Sequence, residues 1–136
     1  MHGIIELYLS GQANEDDLET AVTMVQGVLC SHLWPGKAEL DNIWECQHGI
    51  GHGVAQFYRQ DAARQALYNG LHNCAHGSAN TSNCQNGLWM DYFDHLAKTP
   101  NAVSLQNAKD IVQACFAFPS ITSRSAAEDC IYYAPT

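Results

Sequence analysis

Six cysteines, set in a pattern that recurs along the chain, constrain what this sequence can fold into more than any other feature. Three helix-compatible runs end in cysteine: Thr20-Ala-Val-Thr-Met-Val-Gln-Gly-Val-Leu-Cys30, Arg64-Gln-Ala-Leu-Tyr-Asn-Gly-Leu-His-Asn-Cys74 and Leu105-Gln-Asn-Ala-Lys-Asp-Ile-Val-Gln-Ala-Cys115. They return about every forty residues, a period characteristic of helical arrays. A second set begins with cysteine: Cys46-Gln-His-Gly-Ile-Gly-His-Gly53, Cys84-Gln-Asn-Gly-Leu-Trp-Met-Asp91 and Cys130-Ile-Tyr-Tyr133.

Each unit reads as a helix ending in Cys, a connection, and a second helix with Cys near its start. The first residues fit the same scheme, because His2-Gly-Ile-Ile-Glu-Leu-Tyr8 overlays His52-Gly-Val-Ala-Gln-Phe-Tyr58. The expected organisation is a single helical-repeat domain, with 1–13 as the end of a preceding repeat and repeats at about 14–60, 61–98 and 99–136. The two cysteine positions of a unit are neighbours in an antiparallel hairpin. The economical pairing is therefore Cys30–Cys46, Cys74–Cys84 and Cys115–Cys130, each bridge contributing about 2–4 kcal/mol. Six cysteines allow fifteen connectivities, and free thiols or thiolate ligands are the competing reading. There is no Cys-x-x-Cys, so neither a zinc ribbon nor a thioredoxin motif is present.

Local signals agree with helices. Asn14 can cap a helix whose first turn carries Glu15, Asp16 and Asp17, the sign that its dipole favours. Ser82-x-x-Gln85 and Ser125-x-x-Glu128 have the capping-box pattern, while Trp34-Pro-Gly36, Thr99-Pro-Asn101 and Phe118-Pro-Ser120 break the chain between helices. Period-two strand patterns are nearly absent. The fold class expected is all-α: three disulfide-stapled helical hairpin repeats forming a short α-solenoid or compact bundle.

The charge narrows the partners. Six Lys and Arg against fourteen Asp and Glu leave a formal charge of −8, a surface sign that repels phosphate and argues against nucleic acid or an anionic membrane. No apolar run approaches the ~18–20 residues needed to span a bilayer, so membrane insertion is not expected. The first residues lack the basic start and cleavage pattern of a signal peptide. Paired cysteines nonetheless point to an oxidising, extracytoplasmic compartment, periplasmic or secreted.

The most specific chemical signal is a pair of His-x-x-x-His spacings. Stepping ~100° per residue from Cys46 places Ile50, Val54 and Phe57 beside it, with Gly49 and Gly53 bordering that face. His48, His52 and Arg59 fall on the other side. Around Cys74, Leu67 and Leu71 lie beside the cysteine and His72 and His76 opposite. Imidazoles four apart on a helix can share one cation, so His48, His52, His72 and His76 are candidate ligands for Zn, Cu or Fe. The bland alternative is that they hydrogen-bond to the neighbouring layer. Gly49 and Gly53 are expected to admit a close neighbour; Gly51 has no such account.

Arg59 and Trp89 are candidates for a binding stripe, with packing between units the favoured role of Trp89. Asn80-Thr-Ser82 is a glycosylation sequon, meaningful only in a secretory eukaryote.

The combination of Cys-x-His-Gly-x-Gly-His, an Ala-Leu helix ending in Cys, and Cys-x-x-Gly-Leu-Trp-Met-Asp resembles a Cys/His-rich helical repeat of uncharacterised bacterial extracytoplasmic proteins, from about Thr20 to Pro135. The resemblance implies the architecture and the oxidising compartment, and no catalytic residues. In the unit at 61–98 the sequence departs from it, because Asn86 and Met90 stand where the histidines would be.

The function expected is a non-enzymatic binding or interaction module for a protein or small-molecule ligand, since repeats present extended surfaces and no complete catalytic constellation is visible. The alternative is a metal-binding protein or metal-dependent enzyme, a hydrolase or redox protein, using the two histidine pairs with Asp91 or Asp94.

Overall fold

In a computed structural model the described residues are 2–31, 39–61, 63–77, 81–98 and 113–134. They form α1 (His2–Ser10), α2 (Glu15–Met24), α3 (Glu39–Phe57), α4 (Ala63–Gly77), α5 (Thr81–Lys98) and α6 (Arg124–Tyr133). No strand occurs among them. The expected breaks at 34–36 and 99–101, the sequon residue Asn80 and all of the helix expected at 105–115 except its last turn lie outside the described residues.

The helices pack as an all-α bundle in which α3 is central. It touches α1 on one side and α5 on the other, α5 in turn touches α6, while α4 touches α3, α5 and α2, and α2 also touches α1. All six cysteines are buried and joined as Cys30–Cys46, Cys74–Cys84 and Cys115–Cys130, with Cα atoms 5.5, 5.5 and 5.6 Å apart. This is the pairing that the hairpin argument predicts. Around the bridges, Leu18, Val22, Ile50, Val54, Leu71 and Leu88 complete the core.

The predicted cap of α2 is present: the Asp17 N–H donates to Asn14 Oδ1 over 3.0 Å. After Met24 the helix widens into a π-helical segment, Val25–Cys30. A wider turn brings residues five apart toward one side, and Val25 and Cys30, five apart, are both buried.

The two expected capping boxes are not used as such. Helix α5 already includes Ser82, and α6 is capped by Ser123, whose Oγ accepts from the Ala126 N–H at 3.1 Å. Ser82 and Ser125 instead pair with each other, Oγ to Oγ, at 2.6 Å across α5 and α6. The motif is ambiguous because a serine three residues before Glu or Gln also occurs inside a helix, where tertiary partners compete for its hydroxyl.

The shared Cys-Gln motif has a physical role. Gln47 Oε1 accepts from Asn83 Nδ2 at 2.7 Å, near the start of α5. Gln85, fully buried, donates to the Ile121 carbonyl at 2.6 Å and accepts from the Ser123 N–H at 2.9 Å, at the start of α6. Equivalent glutamines thus tie α3 to the beginning of α5 and α5 to the beginning of α6.

Candidate functional site

The stretch Cys46–Val54 is buried on every side, because α3 has neighbours all round. Gly51 and Gly87 make this possible. A Cβ on Gly51 would overlap the Cys84 carbonyl oxygen and one on Gly87 the His48 carbonyl oxygen, so the two backbones meet with no side chain between them. Gly53 admits α1 as expected, its Cβ position lying 2.7 Å from Leu9 Cβ. The glycine without a sequence-level account, Gly51, makes the closest approach to α5.

This crossing places His48 and His52 in the interface with α5, 4 % and 7 % exposed. The helical wheel separates them from the cysteine face correctly, but that second side is also covered. Their Nε2 atoms are 3.1 Å apart. The indole of Trp44 stacks on His48 with centroids 4.6 Å apart. Asp91 of α5 brings Oδ1 to 3.6 Å from His52 Nδ1. That distance is an electrostatic contact and not a hydrogen bond, and between the two rings one Nε2 donates to the other, the direction following from the tautomer.

His72 lies elsewhere. It is exposed on α4 and stacks loosely on Tyr68, facing the acidic start of α2. No group of three or more His, Cys, Asp or Glu side chains converges as a metal site among the described residues, so His72 does not join His48 and His52 in one centre. A wheel gives the face of each helix and not the neighbour that the face meets. The side chain of His76 is outside the described residues. Asp94 and Arg59 are exposed. Trp89 is fully buried and packs on Tyr92 and Phe93, so it serves the core and not a surface stripe. Its Nε1 has no hydrogen-bond partner among the described residues.

Around His72 the fold forms a cleft of about 270 Å³ between α2 and α4. Glu15, Asp16 and Glu19 stand on one wall, and Tyr68, Asn69 and Asn73 on the other, with Tyr58 also lining it. The acids that cap the dipole of α2 therefore also edge a cavity. Asn73 Nδ2 donates to the Tyr58 hydroxyl at 2.9 Å. Burial first, and the negative charge of Glu15 second, push the Tyr58 pKa up to about 12, with Asp61 and Glu19 acting in the same direction. Asn73 opposes them by stabilising the phenolate. The phenol stays neutral over the physiological range and offers the cleft an uncharged ring. This cleft has no signature of its own in the sequence; the one signal is the Glu15-Asp16-Asp17 run, which by itself reads as helix capping.

The fold and its sites define a disulfide-stapled all-α protein. Compared with protein-family models, curated proteins and solved structures, the chain shows no match. Three disulfides suggest an oxidising environment, and no described helix is long and apolar enough to cross a membrane.

Proposed function

We propose that the protein is a non-enzymatic binding module of stacked helical repeats, acting in the periplasm or as a secreted protein, and that it takes a small organic cation in the cleft between α2 and α4. The single observation that carries this reading is the lining of that cavity: three carboxylates facing tyrosine rings and side-chain amides. A carboxylate attracts an ammonium group through Coulomb energy. An aromatic face adds about 0.5–2 kcal/mol through its quadrupole, and the effect grows as the cation is desolvated. The amides can accept the remaining ammonium protons through their carbonyl oxygens.

Titration of the isotope-labelled protein with cadaverine and with tetramethylammonium, followed by amide chemical shifts, tests the reading. Saturable shifts concentrated on α2 and α4, lost in Glu19→Gln and Tyr68→Ala, are expected. Shifts no larger than those produced by equimolar potassium would show an ion atmosphere and overturn the assignment.

A further inference from the structure

We infer that the cleft between α2 and α4 is one half of a longer, polarised groove, and that its ligand is a singly charged ammonium compound with an aromatic tail, the head among the carboxylates and the tail against Phe118. The inference rests on the reading of the cleft as a cation site and adds the shape and charge of what enters it.

A second, more open trough of about 500 Å³ is lined by Arg64, Gln65, Tyr68 and Phe118. Tyr68 also lines the cleft, so one side chain borders both hollows. Spacing on α4 accounts for the continuity. Arg64, Tyr68 and His72 follow one another at four-residue intervals and share one stripe of the helix, with about 12 Å of axis from the first to the last. Gln65, Asn69 and Asn73 form the parallel stripe beside them.

The two ends have opposite sign. Glu15, Asp16 and Glu19 edge one end, and the Arg64 side chain edges the other. Between them lie rings: His72 stacks loosely on Tyr68 at 6.1 Å, and Tyr68 meets Phe118 edge-on with centroids 5.3 Å apart. A diamine long enough to follow the groove would carry its second ammonium toward Arg64, where like charges repel. A single ammonium with an uncharged aromatic tail meets complementary groups along its length, carboxylates at the head and rings under the tail.

The far end is ordered without a ligand. The Arg64 guanidinium carbon stands 5.0 Å over the centre of the Phe118 ring. The Phe118 carbonyl accepts from the N–H groups of Ile121 and Thr122 at 3.1 and 3.0 Å, and its side chain packs against the core. With one face under the guanidinium, Phe118 offers the tail its edge. Tyr68, 40 % exposed, adds free ring surface beside it. Rings held in this way lose little freedom on binding.

The test titrates the full oxidised chain, isotope-labelled, with tetramethylammonium as a head alone, cadaverine as a diamine and 4-phenylbutylammonium as the tailed monocation. The tailed ion is expected to bind about tenfold or more tightly than either of the others, through apolar area buried on Tyr68 and Phe118. Its amide shifts should reach Gln65 and Phe118, which tetramethylammonium leaves unmoved. Arg64→Gln should bring cadaverine closer in affinity to the tailed ion, because the repelling charge is gone. Phe118→Ala should remove the advantage of the tail and keep the response to tetramethylammonium. Circular dichroism confirms that each variant is folded. If Phe118→Ala does not fold, nuclear Overhauser contacts from the phenyl protons of the ligand to Tyr68 and Phe118 of the native protein replace it.

Equal affinity for tetramethylammonium and 4-phenylbutylammonium, with no shift at Gln65 or Phe118, overturns the extended groove and leaves the cleft as a cation site. Cadaverine bound as tightly as the tailed ion by the native protein overturns the single-charge assignment. No saturable response to any of these cations removes the cleft reading, and this inference with it.

Discussion

Gly51 of α3 and Gly87 of α5 are reciprocal: each leaves room for the backbone of the other's helix, Gly51 for Cys84 and Leu88, Gly87 for His48. The obstacles are main-chain atoms, which cannot swing aside as a side chain can. Gly51→Ala and Gly87→Ala should therefore each destabilise the protein by about 3 kcal/mol or more, the upper end of overpacking costs, although alanine is the better helix former. Gly3, around which a Cβ would meet nothing within 4 Å, provides the control. Gly3→Ala should be neutral or slightly stabilising in a urea melt.

The bridge Cys30–Cys46 closes a separation of 16 residues, and both sulfurs are in the core. Replacing both cysteines by alanine should cost about 2–5 kcal/mol. Thermal melts under non-reducing conditions measure the loss. A reducing agent added to the native protein should move its melt in the same direction.

Gln85 is fully buried and satisfies two backbone groups at once. In Gln85→Leu the Ile121 carbonyl and the Ser123 N–H both lose their partner, at about 1–3 kcal/mol for each group that stays buried. Hydrogen exchange at Ser123 should accelerate well beyond the global change in stability, because the contact is local to the start of α6.

Tyr58 carries a pH dependence. Its pKa is raised from the ordinary 10.0 to about 12, so the folded protein holds the phenolic proton more tightly than the unfolded chain does. The corresponding stability is fully present below about 10 and is lost as pH rises toward about 12. Tyr92, raised by burial, acts with the same sign. Absorbance at alkaline pH should show one phenol ionising near 12, and Glu15→Gln should lower that value because the second cause of the shift is removed.

Much of the architecture is legible in the sequence because it depends on local spacing. The hairpin argument needs only the positions of cysteines within each unit, and it gives all three bridges. The Asn14 cap is likewise decided within four residues. What spacing cannot reveal is how one helix meets another. His48 and His52 fall on the side away from Cys46 as the wheel requires, but whether that side meets water or α5 is a tertiary fact. The glycines divide in the same way: Gly53 admits α1 as its place beside the cysteine face leads one to expect, whereas the role of Gly51 depends on where α5 crosses, which spacing does not give. The acidic run at the start of α2 served a local purpose well enough that its second place, on the wall of a cleft, had no separate signature.

All three disulfides are confined to single hairpins, at separations of 16, 10 and 15 residues, so apart from the backbone itself the packing between hairpins is non-covalent. Under tension the chain is consequently a series of locked links. Force applied at its ends should shear α3 from α5 at the glycine crossing before any hairpin opens. The contour enclosed by each bridge stays out of the released length until the sulfurs are reduced, a shortfall that single-molecule stretching would read directly as extra extension on adding a reductant.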